Sequence, residues 1–289
     1  MIAPATPASR SLAICADDFG RDLPQSQAIV ALARQGRVSA LSCLADGNAW
    51  TEAARLLAAV PQTVSCGLHF NLTEGTPMSP ALRRHWPRLP ALPRLIAAAH
   101  LGRMPLPALT EEWRAQWDAF TDATGRPPDF VDGHQHVHHL PGVREIVVAA
   151  ARHGGVAVRN TGHVGGPGFA GKRWLIEHTG GRGLQRALRA GALPHNDLLL
   201  GVYGFRQPDY RSLMRGWLAA CPARGALLFC HPGASDGDAA RTPARADPDP
   251  IAAARAREAC YLASDAFLAD LAAAGVSLAP GWPQRSSDG

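Results

Sequence analysis

Short apolar runs alternate along this chain with segments of helical periodicity, and this alternation restricts its fold more than any other feature. The runs predict strands at residues 12–16, 38–45, 64–71, 130–134, 156–159, 198–203, 226–231 and 276–278. Helical patterns lie at residues 25–35, 49–60, 111–124, 143–153, 210–220 and 250–274. Such alternation favours βα units and a parallel sheet. Because seven or eight strands suffice to close a barrel, we predict an α/β protein with a TIM-like (β/α) barrel of mostly parallel strands.

Two long segments interrupt this rhythm. Residues 74–110 contain seven prolines and residues 161–194 are rich in glycine, and each follows the carboxyl end of a predicted strand. Barrel proteins place their binding loops at that end, so we expect both loops to border a site. A third loop, polar in character, is expected at residues 236–249. The 289 residues show no internal repeat and no clear boundary, which predicts a single catalytic domain over residues 1–289.

The composition excludes several classes of function. Apolar residues make up 46% and charged residues 18% of the chain, an ordinary globular balance. The net charge of +5 comes from dispersed arginines without a basic run, so we expect no nucleic-acid partner. No stretch approaches the ~20 apolar residues of a membrane-spanning helix, and the amino terminus lacks the apolar core of a secretory signal. Six cysteines without a C-x-x-C pair are typical of reduced thiols, so we expect a cytoplasmic protein.

A histidine cluster follows the fourth predicted strand, in the sequence Asp-Gly-His-Gln-His-Val-His-His at 132–139. If the strand continues, alternate side chains place His134, His136 and His138 on one face. His139 falls out of phase and is expected to be structural. Several imidazoles beside a carboxylate are costly to bury, and the usual reason for them is a divalent metal, a proton relay or both.

Three more predicted strands end in acids or imidazoles. They end in Ala-Asp-Asp-Phe-Gly at 16–20, Gly-Leu-His-Phe-Asn-Leu-Thr-Glu-Gly at 67–75 and Phe-Cys-His-Pro-Gly at 229–233. Taken singly, the aspartate pair is explained by a turn or helix cap, and His69 or His231 by a satisfied core position. Taken together, four such segments at equivalent strand ends predict one site at the carboxyl edge of the barrel.

These motifs, in this order, resemble those of the YdjC/ChbG-like carbohydrate deacetylases. They span about residues 11 to 280, and the set is specific where each motif alone is weak. The resemblance implies a distorted (β/α) barrel and an enzyme that uses a divalent metal to remove acetyl groups from N-acetylated sugars. Cys15 and Gly133 stand where the family frequently has Asn and Ser, but neither is a proposed ligand.

The resemblance also implies a role for individual residues, carried over motif by motif. Asp18, His69 and His134 would bind the metal. Asp17 would be the general base, and His231 would be the general acid. Substrate contact or ligand orientation would fall to other polar residues of this region, namely His136, His138, Asn71, Glu74 and Arg159.

Two imidazoles and one carboxylate leave open positions on a metal, as a catalytic site requires. One divalent ion is therefore expected, and it would polarise the amide carbonyl and lower the pKa of a water molecule from 15.7 toward ~7. The resemblance favours Mg²⁺, whereas two imidazoles make Zn²⁺ or another transition metal a rival.

Other functions stay open at this stage. The alternatives are a metal-dependent phosphoesterase or sugar isomerase on a similar barrel, and a non-catalytic sugar- or metal-binding module. The scarcity of acids near the histidines argues against the first, and Asp17 and His231 would have no purpose in the second. The expected partner is a small N-acetylated sugar, an oligosaccharide or a lipid-linked sugar. A homodimer is expected only because it is the commonest closed assembly.

Overall fold

The computed structural model describes residues 10–234 and 249–282. These residues form one sheet of eight strands in which every ladder is parallel. The strands are β1 (Arg10–Phe19), β2 (Ala40–Cys43), β3 (Ser65–Phe70), β4 (Phe130–Gly133), β5 (Ala157–Val158), β6 (Leu198–Leu200), β7 (Ala226–Cys230) and β8 (Val276–Leu278). Their order across the sheet is β5-β4-β3-β2-β1-β7-β6, and β8 pairs with the first residues of β1.

The sheet curls into a distorted barrel whose last gap is closed irregularly. Within the described residues no ladder joins β5 to β6. Two isolated parallel pairs, Val158 with His195 and Val164 with Leu199, span this gap instead. The backbone N–H of Leu199 donates to the carbonyl of His163 at 3.0 Å, which fixes the segment after β5 against β6. The predicted (β/α) barrel of mostly parallel strands is confirmed in this distorted form.

Helices cover the outer face of the sheet. They are α1 (Leu23–Arg34), α2 (Trp50–Ala53), α3 (Pro80–His85), α4 (Leu92–His100), α5 (Leu106–Thr124), α6 (Val143–Gly154), α7 (Ala170–Ile176), α8 (Arg182–Ala190), α9 (Tyr210–Ala220), α10 (Ala252–Ala263) and α11 (Asp265–Ala274). A 3₁₀ helix (Ala54–Ala59) continues α2. The helix predicted at 250–274 is wrong as a single element, because the extended backbone of Ser264 (φ −79°, ψ 159°) separates α10 from α11.

The two segments predicted as long loops contain helices. In residues 74–110 the prolines Pro80, Pro93 and Pro107 lie in the first turns of α3, α4 and α5. A proline lacks only an N–H that the first turn leaves unpaired, so these prolines start helices rather than prevent them. The glycine-rich segment 161–194 holds α7, a π-helical turn (Glu177–Gly181) and α8. Nearly all of the third predicted loop, 236–249, lies outside the described residues.

Two apolar layers follow from the alternation of side chains along the strands. In β1, Leu12 and Ile14 pack into the layer between sheet and helices, whereas Ala13 and Cys15 point into the barrel. Small side chains leave room inside, and Phe130 fills one end by stacking on another buried aromatic ring. That ring belongs to Trp282, with a centroid separation of 3.7 Å and a backbone N–H that donates to Ser65 at the start of β3. The amino-terminal end of the barrel is therefore filled, and the opposite end is left for a site.

Five of the six cysteines are buried, Cys260 is exposed, and all six are free thiols. Among the residues described, none of the helices combines the length and apolar character needed to cross a bilayer.

Candidate active site

A cavity of about 310 Å³ opens at the carboxyl ends of the strands. The four motifs converge there, although they are far apart in the sequence. The cavity wall includes both members of the aspartate pair and three of the motif histidines: Asp17, Asp18, His69, His134 and His231. Since these side chains come from the ends of β1, β3, β4 and β7, the parallel sheet alone is enough to assemble them.

A β-bulge explains how two consecutive aspartates reach the same cavity. In a regular strand, neighbouring side chains point to opposite faces of the sheet. The register of β1 against β2 shifts between Ala16 and Phe19, and Asp18 has a left-handed backbone with φ 66°. An extra residue in a strand re-aims the side chains beside it. Asp17 and Asp18 therefore both face the barrel axis.

Asp18 forms the centre of a buried triad with two histidines. Its Oδ1 lies 2.9 Å from Nδ1 of His134 and 3.3 Å from Nε2 of His69. One ligand atom from each of the three residues lies within 4.8 Å of the other two. The three side chains are almost completely buried, with exposed fractions of 1%, 2% and 7% for Asp18, His69 and His134.

The second oxygen of Asp18 is held by an arginine from the far end of the chain. Oδ2 accepts a hydrogen bond of 2.6 Å from Arg255 on α10, and Arg255 also donates to Asp249 at 2.7 Å. Burial opposes ionisation of Asp18, but Arg255 and the two histidines hold its pKa well below the usual range. Asp18 is thus fixed as a carboxylate with Oδ1 directed at the histidines.

His69 is oriented by Asp132 on the neighbouring strand. The two residues are partners in the β3–β4 register, and Nδ1 of His69 donates to Oδ1 of Asp132 at 2.7 Å. This hydrogen bond directs Nε2 of His69 at Asp18, and a metal that displaced the Nε2 proton would complete the carboxylate–histidine–metal arrangement of metalloenzymes. Burial disfavours the imidazolium, yet Asp132 and Asp18 raise the pKa of His69 to about 10. A position that stabilises positive charge so strongly suits a cation.

The donor set fits a divalent ion. Two imidazole nitrogens and one carboxylate oxygen converge, and the other ring nitrogen of His134, Nε2, has no hydrogen bond and lies 3.7 Å from Oε1 of Glu74. Three protein ligands are the number that leaves room for water and substrate. A second group, Cys15 with Asp17 and Asp132, also lies within ligand distance. It already surrounds a cation, because the Arg159 guanidinium pairs with both carboxylates.

Asp17 accepts two hydrogen bonds from Arg159, at 2.7 and 2.6 Å. Arg159 has no exposed surface and does not line the cavity. Arg159 therefore does not take the position expected for a substrate contact. It lies behind Asp17 and fixes the Asp17 carboxylate at the cavity wall. Each oxygen of Asp17 keeps a second lone pair for a proton.

His231 faces the triad from β7. Its ring packs edge-on against Phe205 and Phe229, at centroid distances of 5.3 and 5.5 Å. Its backbone N–H donates to Glu258 at 2.5 Å. Burial lowers the pKa of His231 to about 4, although Asp18 and Asp17 act in the opposite direction. The imidazole is therefore neutral at pH 7.

The histidine cluster does not continue as a strand. β4 ends at Gly133, and His134–His139 form a 3₁₀ turn in which Gln135 and His136 have left-handed backbones. The expectation that His134, His136 and His138 share one strand face is wrong, because left-handed residues break the alternation of a strand. Only the first histidine of the cluster reaches the triad.

The other three histidines of the cluster have different surroundings. His136 is half-buried, lines the cavity and packs edge-on against Phe229 at 5.2 Å. His138 is fully buried, and its Nε2 donates to the backbone carbonyl of Arg159 at 2.9 Å. It supports Arg159 rather than the cavity wall. His139 lies between the Thr161 and Thr179 hydroxyls, at 2.9 and 3.2 Å, and it also lines the cavity.

Asn71 and Glu74 were both expected to contact substrate, and the structure separates them. Asn71 is buried, donates to Asp46 at 2.7 Å and accepts from the backbone N–H of Thr73 at 2.9 Å, so it shapes the loop after β3. Glu74 lines the cavity and pairs with Arg21 at 3.2 Å.

Several residues of the site were not predicted from the sequence. Asp132 could have been, because it directly precedes the Gly-His of the fourth motif. Ser42 donates to Asp132 at 2.5 Å, but a lone serine in an apolar strand gives no signal. The same holds for Arg255 and Glu258, which occupy ordinary positions in the alanine-rich helix α10.

Comparisons with known proteins find deacetylases among the relatives of this chain. Over 153 residues the chain is 37% identical to a chitooligosaccharide deacetylase from Klebsiella pneumoniae (strain 342), a match that covers 52% of this chain and 59% of that protein. Over 151 residues it is 37% identical to a carbohydrate deacetylase from Homo sapiens, covering 50% of this chain and 46% of that protein. The chain thus spans about half the length of the relatives it matches.

The fold and the family have wider support than these partial matches. A crystal structure described as a cellobiose-phosphate cleavage protein from Enterococcus faecalis V583 superposes with a TM-score of 0.68 at 20% identity, covering 94% of this chain and 97% of that one. At this identity the likeness establishes the fold alone. The sequence model described as YdjC-like protein matches residues 11–273. Because that match extends over most of the chain, the chain belongs to the YdjC-like protein family.

Proposed function

We propose that this chain is a metal-dependent hydrolase that removes the acetyl group from an N-acetylated sugar, giving acetate and an amino sugar. The observation that carries the proposal is the buried triad of Asp18, His69 and His134, which shares one cavity with Asp17 and His231. The deacetylases among its relatives support the reaction class.

Amide hydrolysis needs a stronger electrophile, a nucleophilic water and a proton for the departing amine. A divalent ion held by Asp18, His69 and His134 would polarise the carbonyl and make the water more acidic. Asp132 and Arg255 keep the triad in place, the first through His69 and the second through Asp18. The remaining steps belong to Asp17 and His231.

Asp17 is the proposed general base. Its carboxylate lines the cavity beside Asp18, and the two hydrogen bonds from Arg159 hold it in one orientation. A fixed carboxylate can take the proton of the attacking water without first changing its side-chain conformation. Such a proton transfer typically raises the reaction rate by about 10²–10⁴-fold.

His231 is the proposed general acid. Since the buried imidazole is neutral at pH 7, it must gain a proton during the reaction before it donates one to the amine. The carboxylates of Asp17 and Asp18 favour its protonated form. Asp17 would pass the proton taken from water to His231, and His231 would donate it to the departing amine, so the net reaction consumes no acid.

The ligands of the triad suit more than one divalent ion. Two imidazoles suit Zn²⁺ or another transition ion, while one carboxylate and solvent positions accept Mg²⁺. We infer that more than one of these ions supports turnover.

The free thiols fit a reducing compartment such as the cytoplasm.

The test is acetate release from a panel of N-acetylated sugars, with and without a chelator. We expect release that stops with chelator and returns with added divalent ion. His69→Ala and His134→Ala should each lose at least about 100-fold in turnover, whereas the exposed His85→Ala should retain it. Release that is indifferent to chelator, or release of phosphate from sugar phosphates without acetate, would contradict the proposal.

A further inference from the structure

The two segments that interrupt the alternation of strands and helices carry the excess positive charge of the chain. After Glu74, residues 75–110 contain five arginines and no Asp or Glu, and residues 161–194 contain four arginines, one lysine and a single acid, Glu177. The two segments therefore have a charge of +9, whereas the whole chain has +5 and the remaining residues have −4. The sequence has no basic run, so this asymmetry becomes a surface only if the fold brings the two segments together.

The fold places both segments at one end of the barrel. The first segment follows the carboxyl end of β3 and the second follows that of β5, and these ends lie on the same side of a parallel sheet. The segments meet where Nε2 of His100, at the end of α4, lies 3.0 Å from the carbonyl oxygen of Thr179. Leu106, at the start of α5, lies against Gly142, which directly precedes α6. The two segments thus form one continuous surface, which we call the basic face.

The cations of the basic face point into solvent. Nine of its ten Lys and Arg side chains are exposed, and the tenth, Arg173, is half-buried. On α8, Arg182, Arg186 and Arg189 recur at spacings of four and three and so share one side of the helix. Glu177 pairs with Arg182 at 3.1 Å, and the two segments contain no other acid that could neutralise the remaining cations.

The same face holds most of the exposed apolar side chains. In the part of the chain that the structure describes, five large apolar side chains are exposed, and four of them belong to the basic face. They are Leu101, Leu106, Trp174 and Leu175, with exposed fractions of 63%, 44%, 60% and 47%. Exposed leucine and tryptophan beside arginine are typical of surfaces that lie on a bilayer, where the apolar groups enter the interface and the cations contact headgroups.

We propose that the basic face binds the surface of a bilayer that contains anionic lipids. A bilayer offers negative charge and hydrocarbon to one face at once. A second copy related by two-fold symmetry would bring the same charge of +9 against itself. A nucleic acid would neutralise the arginines but leave the exposed leucines without an apolar partner. The proposal concerns where the protein is held, and it goes beyond the proposed reaction.

The test is cosedimentation of the whole chain with lipid vesicles. Vesicles of phosphatidylcholine alone are compared with vesicles in which about one-third of the lipid is phosphatidylglycerol. We expect at least about 10-fold tighter binding to the anionic vesicles, because each Lys or Arg near an anionic surface strengthens binding by roughly fivefold. This binding should weaken as salt rises from ~0.1 M to ~0.5 M, since salt screens the attraction.

Two pairs of arginine variants locate the binding surface. Arg186→Gln with Arg189→Gln removes two exposed charges from α8 and should weaken binding to the anionic vesicles by roughly 10-fold to 30-fold. Arg34→Gln with Arg55→Gln removes two exposed charges from the opposite end of the barrel, because α1 and the 3₁₀ helix after α2 lead to the starts of β2 and β3. This control pair should change binding by less than about twofold.

Two further variants test the contact with hydrocarbon. Trp174→Gln should weaken vesicle binding by at least about fivefold, because the exposed indole no longer enters the interface. Leu268→Gln on α11, 45% exposed and outside the basic face, should leave binding unchanged. None of the substituted residues lines the cavity of the triad, so acetate release from a water-soluble N-acetylated sugar should be the same in every variant.

The outcomes separate the bilayer from other partners and from the reaction. Equal binding to both kinds of vesicle, or equal losses for the α8 pair and its control pair, would overturn the proposal. Tighter binding to single-stranded RNA than to anionic vesicles, or a dimer that Trp174→Gln dissociates in the absence of vesicle binding, would also overturn it. Vesicle binding that the α8 pair loses, without acetate release under any metal, would support the membrane-binding face and contradict only the proposed reaction.

Discussion

Asp132 connects the two halves of the proposed chemistry. It accepts from His69 and from Ser42 through one oxygen, and its other oxygen lies 2.5 Å from the guanidinium of Arg159. Arg159 in turn holds Asp17. A single buried carboxylate thus positions a proposed metal ligand directly and the proposed base through an arginine.

We predict that Asp132→Asn weakens metal binding about 10-fold to 100-fold, as loss of such supporting carboxylates typically does. The amide still fits the site but cannot stabilise the ring of His69 as a charge can. Competition with a metal-sensitive dye measures the dissociation constant. Asp118→Asn, on the exposed face of α5, is the control. Equal dissociation constants for Asp132→Asn and the wild type would remove Asp132 from this role.

We predict that Glu258 makes the stability of the fold depend on pH. It is fully buried, accepts from the Tyr203 hydroxyl and the His231 N–H, and burial raises its pKa to about 7 against a usual 4.5. Between these two values the folded protein holds a proton that the unfolded chain has released. Stability associated with Glu258 is therefore fully present below pH 4.5 and is lost as the pH rises through 7.

We expect Glu258→Gln to remove this dependence, because glutamine stays neutral and keeps an acceptor for the His231 N–H. From pH 5 to pH 8 the wild type should lose up to about 3 kcal/mol of unfolding free energy relative to the variant. Urea unfolding at both pH values measures the difference. Parallel curves for the two proteins would show that Glu258 does not titrate in this range.

At the scale of elements, the strands were predictable from apolar runs and the site from where those runs end. The predicted β1, β3, β4 and β7 carry all four motifs at their carboxyl ends, and a parallel sheet brings such ends together whatever the loops do. Local backbone irregularities were not predictable. The bulge at Asp18 and the 3₁₀ turn at His134–His139 depend on residues with a left-handed backbone. Glycine in a sequence indicates that conformation, whereas Asp, Gln and His adopt it uncommonly, so the sequence does not predict it here.

The prolines of residues 74–110 illustrate a second limit. Proline is compatible with both a loop and the first turn of a helix, so composition alone favoured a loop. Whether a helix follows the proline depends on which of the following side chains become buried in the core. Leu82, Leu95 and Leu109 are fully buried in α3, α4 and α5, which a sequence without an alignment does not reveal.

The 3₁₀ turn carries backbone strain that a glycine would relieve. Gln135 is exposed and has φ 52°, where a side chain beyond hydrogen costs roughly 1–2 kcal/mol. We predict that Gln135→Gly raises the free energy of unfolding by about 0.5–1 kcal/mol, since the greater freedom of glycine in the unfolded chain offsets part of the gain. Denaturant unfolding measures it.

The matched control is Gln185→Gly within α8, where the backbone is helical and glycine should lower the free energy of unfolding by about 1 kcal/mol. A loss of stability for both variants would mean that the turn at Gln135 is not strained.

At the scale of the whole molecule, the barrel fold was predictable from the alternation of strand and helix patterns. The contacts in the site between residues far apart in the sequence were not. Arg255 reaches Asp18 across 237 positions in the sequence, and nothing local in α10 marks it as a partner. The two apolar layers of the barrel set its position, because α10 must bury Ala254 and Leu262 and thereby turns Arg255 inward. A single domain over residues 1–289 and a homodimer stay predictions.

The central claim is that Asp18, His69 and His134 bind one divalent ion, and the most direct test is the metal content of the folded protein after equilibrium dialysis. We predict one ion per wild-type chain and less than about 0.1 per chain in Asp18→Asn and in His69→Ala, with circular dichroism showing that the variants remain folded. One retained ion per chain in folded Asp18→Asn and His69→Ala, or none in the wild type at millimolar metal, would contradict the account.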